Sequence, residues 1–184
     1  PQGNLVLDCP HPSLSLPCCL ECQQLAEAVK ADSIWQVRLE VKRALIAKYQ
    51  QDLAIGINWT EQELAESQFE GGNFAGFQKS AWFMYEVAKG RVNYIGWPLV
   101  LNGIELEVKF EKEAFTFDGI SYPSIDDAIK HYAKAYYLHA AFFKQVLSIM
   151  SKARFADAVR FCRLWVGATP QERGVALKSL RARY

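Results

Sequence analysis

Cysteines and a histidine are concentrated near the start of the sequence. Four of the five cysteines lie within the first 22 residues, where Cys9 and His11 form a Cys-x-His pair and Cys19 and Cys22 form a Cys-x-x-Cys pair. Thiolate and imidazole groups in a two-plus-two arrangement are typical ligands of tetrahedral Zn²⁺. The sequence therefore predicts a zinc site formed by Cys9, His11, Cys19 and Cys22.

The sequence alone leaves two points about this site undecided: which of two adjacent cysteines is the ligand, and whether the cysteines bind metal at all. Cys18 could replace Cys19 as a ligand, although adjacent residues rarely both reach one metal ion. The cysteines could instead be free thiols or disulfides in an irregular arm, since the prolines of this stretch disfavour regular structure. With four protein ligands the metal would be structural, and such sites contribute about 10–16 kcal/mol of apparent binding free energy.

Basic residues are concentrated at the other end of the chain. Residues 1–143 hold 12 Lys/Arg against 18 Asp/Glu, whereas residues 144–184 hold 9 against 2, so an acidic body precedes a basic segment. Such cations can neutralise the phosphates of nucleic acid or dock on acidic protein surfaces, and they can also be a solvated face. The candidate binding residues are Lys152, Arg154, Arg160, Arg163, Arg173, Lys178, Arg181 and Arg183.

No catalytic constellation is visible in the sequence. The chain has three histidines, and His131 and His139 lie two helical turns apart, too far to share one metal ion. The glycines at positions 71 and 76 have the gap of a phosphate-binding loop, but the Lys79-Ser80 pair comes two residues too late and no strand precedes it. The sequence therefore favours a protein that is not an enzyme.

Residues 124–153 are predicted to form one long central helix, around which the other elements pack. Ser124 suits the N-cap position, Asp127 follows at the capping-box spacing, and no Gly or Pro interrupts the stretch. Two apolar rows at spacings of three and four cover more than half of the circumference, which predicts burial on two sides. A turn is expected at residues 151–155, although an unbroken helix is the alternative.

Other local signals place further helices and a small β-meander. Helices are predicted from about Ser33, after Thr60 and after Thr169-Pro170, and another from Asn73 to Gly90 with Phe77, Met84 or Tyr85, and Ala88 on its buried face. Short strands are predicted at residues 91–96, 99–101, 104–110, 114–117 and 120–122. The pairs Asn102-Gly103 and Asp118-Gly119 indicate hairpin turns.

The combined prediction is an α+β, predominantly helical fold: a long central helix, a small antiparallel β-meander and an N-terminal zinc-knuckle-like arm. The arm comprises residues 1–24, the helical body residues 25–153 with the meander at about 91–122, and the basic C-terminal helical segment residues 154–184. No apolar run is long enough to span a membrane and no secretory signal is visible, which favours a soluble cytoplasmic protein.

The function predicted from the sequence is that of a non-enzymatic architectural subunit of a larger macromolecular assembly, such as a viral particle or a multi-protein complex. It would dock through the structural-zinc arm and the basic C-terminal helices onto other protein subunits, for which copies of itself are one candidate. The alternative is a nucleic-acid-binding protein whose basic segment contacts phosphates.

Overall fold

The computed structural model describes residue 11 and residues 14–67, 74–106 and 114–184, with the backbone alone for residues 74 and 75. Within these ranges the fold is predominantly helical, as predicted, and it has two small antiparallel sheets. The helices are α1 (Leu20–Glu27), α2 (Ile34–Lys48), α3 (Gln50–Asn58), α4 (Glu61–Glu66), α5 (Phe74–Asn93), α6 (Ile125–Ala135), α7 (Ala140–Met150), α8 (Phe155–Arg163) and α9 (Pro170–Arg181). The strands are β1 (Val100–Leu101), β2 (Ile104–Glu105), β3 (Phe115–Phe117) and β4 (Ile120–Tyr122).

The prediction of one long central helix over residues 124–153 is wrong, because the chain forms two helices, α6 and α7, separated by a tight turn. Tyr137 adopts a left-handed conformation with φ 56°. The next residue, Leu138, is buried, and its N–H donates to the Ala133 carbonyl at 2.8 Å. This is the Schellman pattern of helix termination, which usually has Gly at the left-handed position. Here Tyr137, and not Gly, occupies the left-handed position, and the residue after it, Leu138, is buried.

The β-meander prediction is confirmed in its two turns. Asn102 and Gly103, and likewise Asp118 and Gly119, all have positive φ values, which is the conformation that a two-residue hairpin requires. Among the described residues the strands form two antiparallel pairs, β1–β2 and β3–β4, each a two-stranded sheet. Residues 107–113, which include most of the strand predicted at 104–110, lie outside the described residues.

The strand predicted at residues 91–96 is also wrong, because α5 continues through Gly90 to Asn93. Val92 is almost fully buried, so packing extends the helix past the glycine that was expected to end it. Tyr85 and Ala88 lie on the buried face as predicted, whereas Phe77 is exposed. The predicted cap, Asn73, lies outside the described residues.

Several predicted helix starts are confirmed. Thr60 and Thr169 each form a complete capping box with the glutamate three residues later, and Pro170 occupies the first position of α9. Ser124 accepts a hydrogen bond from the Asp127 N–H at the start of α6. Asp127 in turn pairs with Arg43 of α2, whose Nε lies 3.2 Å from Oδ1, so this cap also joins two helices.

One hydrophobic core joins the helical body to the basic C-terminal segment. Phe155 starts α8 after the predicted turn, where Ser151 has φ 76° and residues Lys152–Arg154 form a single 3₁₀ turn. The Phe155 ring lies about 5 Å, centroid to centroid, from rings of β3, α6 and α7. Leu180 of α9 belongs to the same core. The basic residues therefore extend from a segment that is packed on the body.

Across the described ranges, no helix is both long enough and apolar enough to cross a lipid bilayer.

Candidate functional site

The Cys-x-x-Cys pair lies at the N-terminus of α1. Cys19 is the N-cap residue, and its sulfur accepts a hydrogen bond from the Cys22 N–H at 3.5 Å. Cys19 is exposed, whereas Cys22 is half-buried and packs against the core. The two thiols therefore face each other, and only Cys19 is open to solvent.

A cation that is distant in the sequence lies beside this cysteine pair. Arg91 of α5 donates from Nη2 to the Cys19 sulfur at 3.3 Å. The same guanidinium is held by Glu21, which also pairs with Lys48 and accepts a hydrogen bond from the Tyr49 hydroxyl at 2.9 Å. Glu21 thus connects the first turn of α1 to α2 and α5, and its position fixes Arg91 against Cys19.

The electrostatics of the two thiols differ. The backbone N–H of Cys22 and then the Arg91 guanidinium lower the pKa of Cys19 to about 7. Burial and the hydrogen bond to Cys19 raise the pKa of Cys22. The pKa of Glu21 falls to about 2, chiefly because of Arg91 and then Lys48. A thiolate on Cys19 is the reactive form of a cysteine, whereas Cys22 stays protonated.

The structure does not bring the predicted zinc ligands together within its described residues. Cys9 lies outside them. His11 accepts a hydrogen bond from the Ile34 N–H on its Nε2 at 2.7 Å, and its ring packs edge-on against Trp35. In the described part of the chain, no three His, Cys, Asp or Glu side chains come close enough to hold a metal ion. His11 therefore does not join the cysteine pair, and the zinc site stays a prediction.

The predicted basic residues divide into those with partners and those without. Arg154 pairs with Asp157 at 2.8 Å and lies over the Tyr184 ring, which brings the 3₁₀ turn next to the last residue of the chain. Arg160 makes a longer contact with Asp157, and Arg163 lies over the Tyr136 ring.

The remaining basic residues are placed along and beside α9. Arg173 donates to the Ala168 carbonyl at 2.6 Å. Four exposed cations of the basic segment have neither an ion pair nor a ring contact with a described residue: Lys152, Lys178, Arg181 and Arg183. These four are the ones that are free to bind an external anion.

A small apolar groove of about 230 Å³ lies between the end of α8 and α9. Trp165 and Phe161 form one wall, and Arg183 lies at its rim. The Trp165 Nε1 is buried and has no hydrogen-bond partner in the part of the chain that the structure describes. The groove belongs to the same basic segment.

The sequence analysis missed a large apolar surface centred on α5. Phe83 and Val87 lie on the face of α5 opposite its buried residues, and Phe83 is 66% exposed. Nine large apolar residues on α5 and in the segment that follows it are exposed: Phe77, Phe83, Met84, Val87, Tyr94, Ile95, Trp97, Val100 and Ile104. We use the term α5 apolar surface for the part of this set that lies around Phe83 and Val87 on the outer face of α5. The available signal was a second apolar row, since Phe83 and Val87 of α5 and Tyr94 just after it recur at helical spacing on the side opposite the buried row.

No known protein guides the assignment of these features. The chain matches no family model, no curated protein and no solved structure. Its function is therefore argued from its own surfaces.

Proposed function

We propose that this chain is a non-enzymatic architectural subunit of a larger macromolecular assembly, and that it docks on a second copy of itself through the α5 apolar surface. The observation that carries this proposal is the exposure of nine large apolar side chains between residues 77 and 104. Apolar patches beyond a few hundred Å² are uncommon on monomeric proteins and usually mark interfaces. The arm of residues 1–24 and the basic segment would be further docking elements.

The outer face of α5 is suited to antiparallel pairing with itself. Small residues lie at both ends of this face, with Gly76 and Ser80 before the central Phe83 and Gly90 after Val87. When two α5 helices cross antiparallel at Phe83, Gly76 of one copy lies opposite Gly90 of the other. The small residues allow the helices to approach closely, and the two-fold arrangement buries the same patch on both copies.

The charges beside this face are also self-complementary. Lys79 and Glu86 are both exposed on the flank of α5, and Glu86 pairs at 3.5 Å with Lys89 of its own helix. In the antiparallel arrangement Lys79 of one copy approaches Glu86 of the other, and the symmetry repeats this contact. Such rim charges favour one register and orientation more than they add affinity.

Replacing Phe83 and Val87 together by Glu is expected to convert a self-associating protein into a monomer, because four carboxylates would be buried at the centre of the paired surface. Sedimentation equilibrium measures the change, and the double variant should give the chain mass of 20.9 kDa. Leu164→Glu is the matched control, since Leu164 is 79% exposed but lies outside this surface. The control should associate as the unmodified protein does.

A charge exchange tests the pairing geometry itself. Lys79→Glu should weaken association at low salt, and adding Glu86→Lys in the same chain should restore it. An unmodified protein that is monomeric at every concentration would contradict the proposal, as would a Phe83→Glu/Val87→Glu variant that still associates.

The alternative function is binding of nucleic acid through the basic segment. It is supported by four exposed cations of the basic segment, Lys152, Lys178, Arg181 and Arg183, which have neither an ion pair nor a ring contact among the described residues. Phosphate contacts from such groups are independent of sequence and become weaker as salt displaces them. This function does not exclude an architectural role.

Neutralising Lys178 and Arg181 to Gln should weaken binding to random DNA and RNA and lower the slope of log affinity against log salt by about 2. Fluorescence anisotropy at several salt concentrations measures both quantities. Lys30→Gln with Lys130→Gln makes the same charge change on the acidic body and should leave the slope unaltered. The absence of binding at low salt would contradict this function.

A further inference from the structure

The Cys19–Cys22 pair lies outside both the α5 apolar surface and the basic segment, and its surroundings are those of a reactive dithiol. We propose that Cys19 and Cys22 form a redox-active thiol–disulfide couple that exchanges with low-molecular-weight aliphatic disulfides, of which oxidised glutathione is the probe. This inference does not rest on the proposed assembly function.

The geometry of the first turn of α1 carries the inference. N-cap and N3 side chains lie on the same side of a helix start, and here the Cys22 N–H contacts the Cys19 sulfur at 3.5 Å. Joining these two residues requires little backbone movement, since a disulfide spans Cα atoms about 5.5–6 Å apart. Cys19 is exposed and Cys22 is partly buried, so the two thiols have different roles in the exchange. Cys19 meets the incoming disulfide, and Cys22 closes the ring.

The neighbouring cation distinguishes this pair from half of a zinc site. Arg91 donates to the Cys19 sulfur at 3.3 Å and is fixed there by Glu21. A guanidinium stabilises negative charge on a sulfur but repels a divalent cation that approaches the same atom. His11 is engaged with the start of α2 through Ile34, so it supplies no third ligand at this place. The described residues therefore fit thiol exchange better than metal coordination.

The exchange balances as two displacement steps. The Cys19 thiolate attacks one sulfur of the external disulfide, a mixed disulfide forms on Cys19, and the first external thiolate leaves. Cys22 then loses its proton and attacks the Cys19 sulfur, which forms the Cys19–Cys22 bond and releases the second external thiolate. The protein dithiol is oxidised by two electrons, the external disulfide is reduced to two thiols, and the protons pass to the released thiolates through water.

The test is equilibration of the full chain in mixtures of reduced and oxidised glutathione, followed by acid quenching and mass spectrometry. We expect the protein to lose two hydrogens as the oxidised fraction rises, and peptide mapping to locate the bond between Cys19 and Cys22. Reversal by excess reduced glutathione should restore the original mass. These measurements need no substitution, so they do not depend on the folding of a variant.

Single substitutions separate the roles of the three neighbouring cysteines. Cys22→Ser should stop the reaction after the first step and accumulate a glutathione adduct on Cys19. Cys19→Ser should form neither adduct nor internal bond at this place. Cys18→Ser is the matched control, because Cys18 is exposed beside Cys19 but is not the N-cap, and it should behave as the unmodified chain.

Three results would overturn the inference. One is an internal bond that maps to Cys18 instead of Cys19, and another is the absence of any Cys19–Cys22 bond in fully oxidised glutathione. The third is a stoichiometric zinc ion, found by elemental analysis, that is released when both cysteines are alkylated. That last result would support the metal site predicted from the sequence.

Discussion

Replacing Phe155 by Ala is expected to lower the free energy of unfolding by about 3–5 kcal/mol, which is a large part of the 5–15 kcal/mol that holds a typical domain together. Phe155 is 2% exposed. Its ring centroid lies 4.8 Å from that of Phe117 and 5.2 Å from that of Phe143, so the substitution removes contacts to both a strand and a helix. The loss of buried apolar area and the cavity that remains both lower the free energy of unfolding.

Urea denaturation followed by circular dichroism measures this difference. Phe155→Leu should lose less than the Ala variant, because most of the volume stays filled. Leu164→Ala is the control from the same region, and because Leu164 is 79% exposed its loss should stay within about 0.5 kcal/mol. A loss of less than about 1 kcal/mol for Phe155→Ala would show that the basic segment is not anchored through this ring.

Because Phe155 anchors the basic segment to the body, a loss of stability can also reduce binding by that segment. A change in the core at Phe155 would loosen α8 together with its cations, so weaker binding to nucleic acid could follow from unfolding alone. The Lys178 and Arg181 substitutions avoid this problem, because both side chains are exposed. Stability measurements on each variant separate loss of charge from loss of fold.

Features with a local signal were predictable from the sequence. The hairpin turn at Asn102-Gly103 and the capping boxes at Thr60 and Thr169 depend on residues within a few positions of one another, and all three are confirmed. The break between α6 and α7 carries no such signal. It places Tyr137 in a conformation that Gly or Asn usually adopts, and tertiary burial of Leu138 accompanies it.

The candidate sites were predictable only in part, because they too depend on contacts between residues that are distant in the sequence. The Cys-x-x-Cys spacing identified Cys19 and Cys22, but Arg91 is 72 positions away from Cys19 along the chain and no pattern connects them. The outer face of α5 was missed because an apolar row predicts burial, and the sequence does not say whether this chain or another copy covers it. For Phe83 and Val87, the sequence alone therefore leaves open whether they pack inside the chain or against another copy.

Acidification from about pH 6.5 to about pH 4 is expected to destabilise the fold through His131, by at most about 3 kcal/mol. His131 is 4% exposed, and its Nδ1 lies 2.7 Å from the Tyr122 hydroxyl, while Nε2 has no hydrogen-bond partner among the described residues. Burial, and then the charge of Lys134, lower its pKa from 6.5 to about 4. Between these values the unfolded chain binds a proton that the folded chain does not, so stability falls as the pH falls.

The measurement is the free energy of unfolding in urea at several pH values across this interval. The slope should approach about 1.4 kcal/mol per pH unit in the middle of the range and flatten below it. His131→Gln keeps a polar partner for Tyr122 but cannot titrate, so its curve should stay flat where the unmodified protein declines. Glu21 has little effect on either curve in this interval. Its pKa is lowered from 4.5 to about 2, so the stability that its ion pairs contribute is lost mainly below pH 4. Parallel curves for the two proteins would assign the acid sensitivity to other groups and leave His131 as a neutral packing residue.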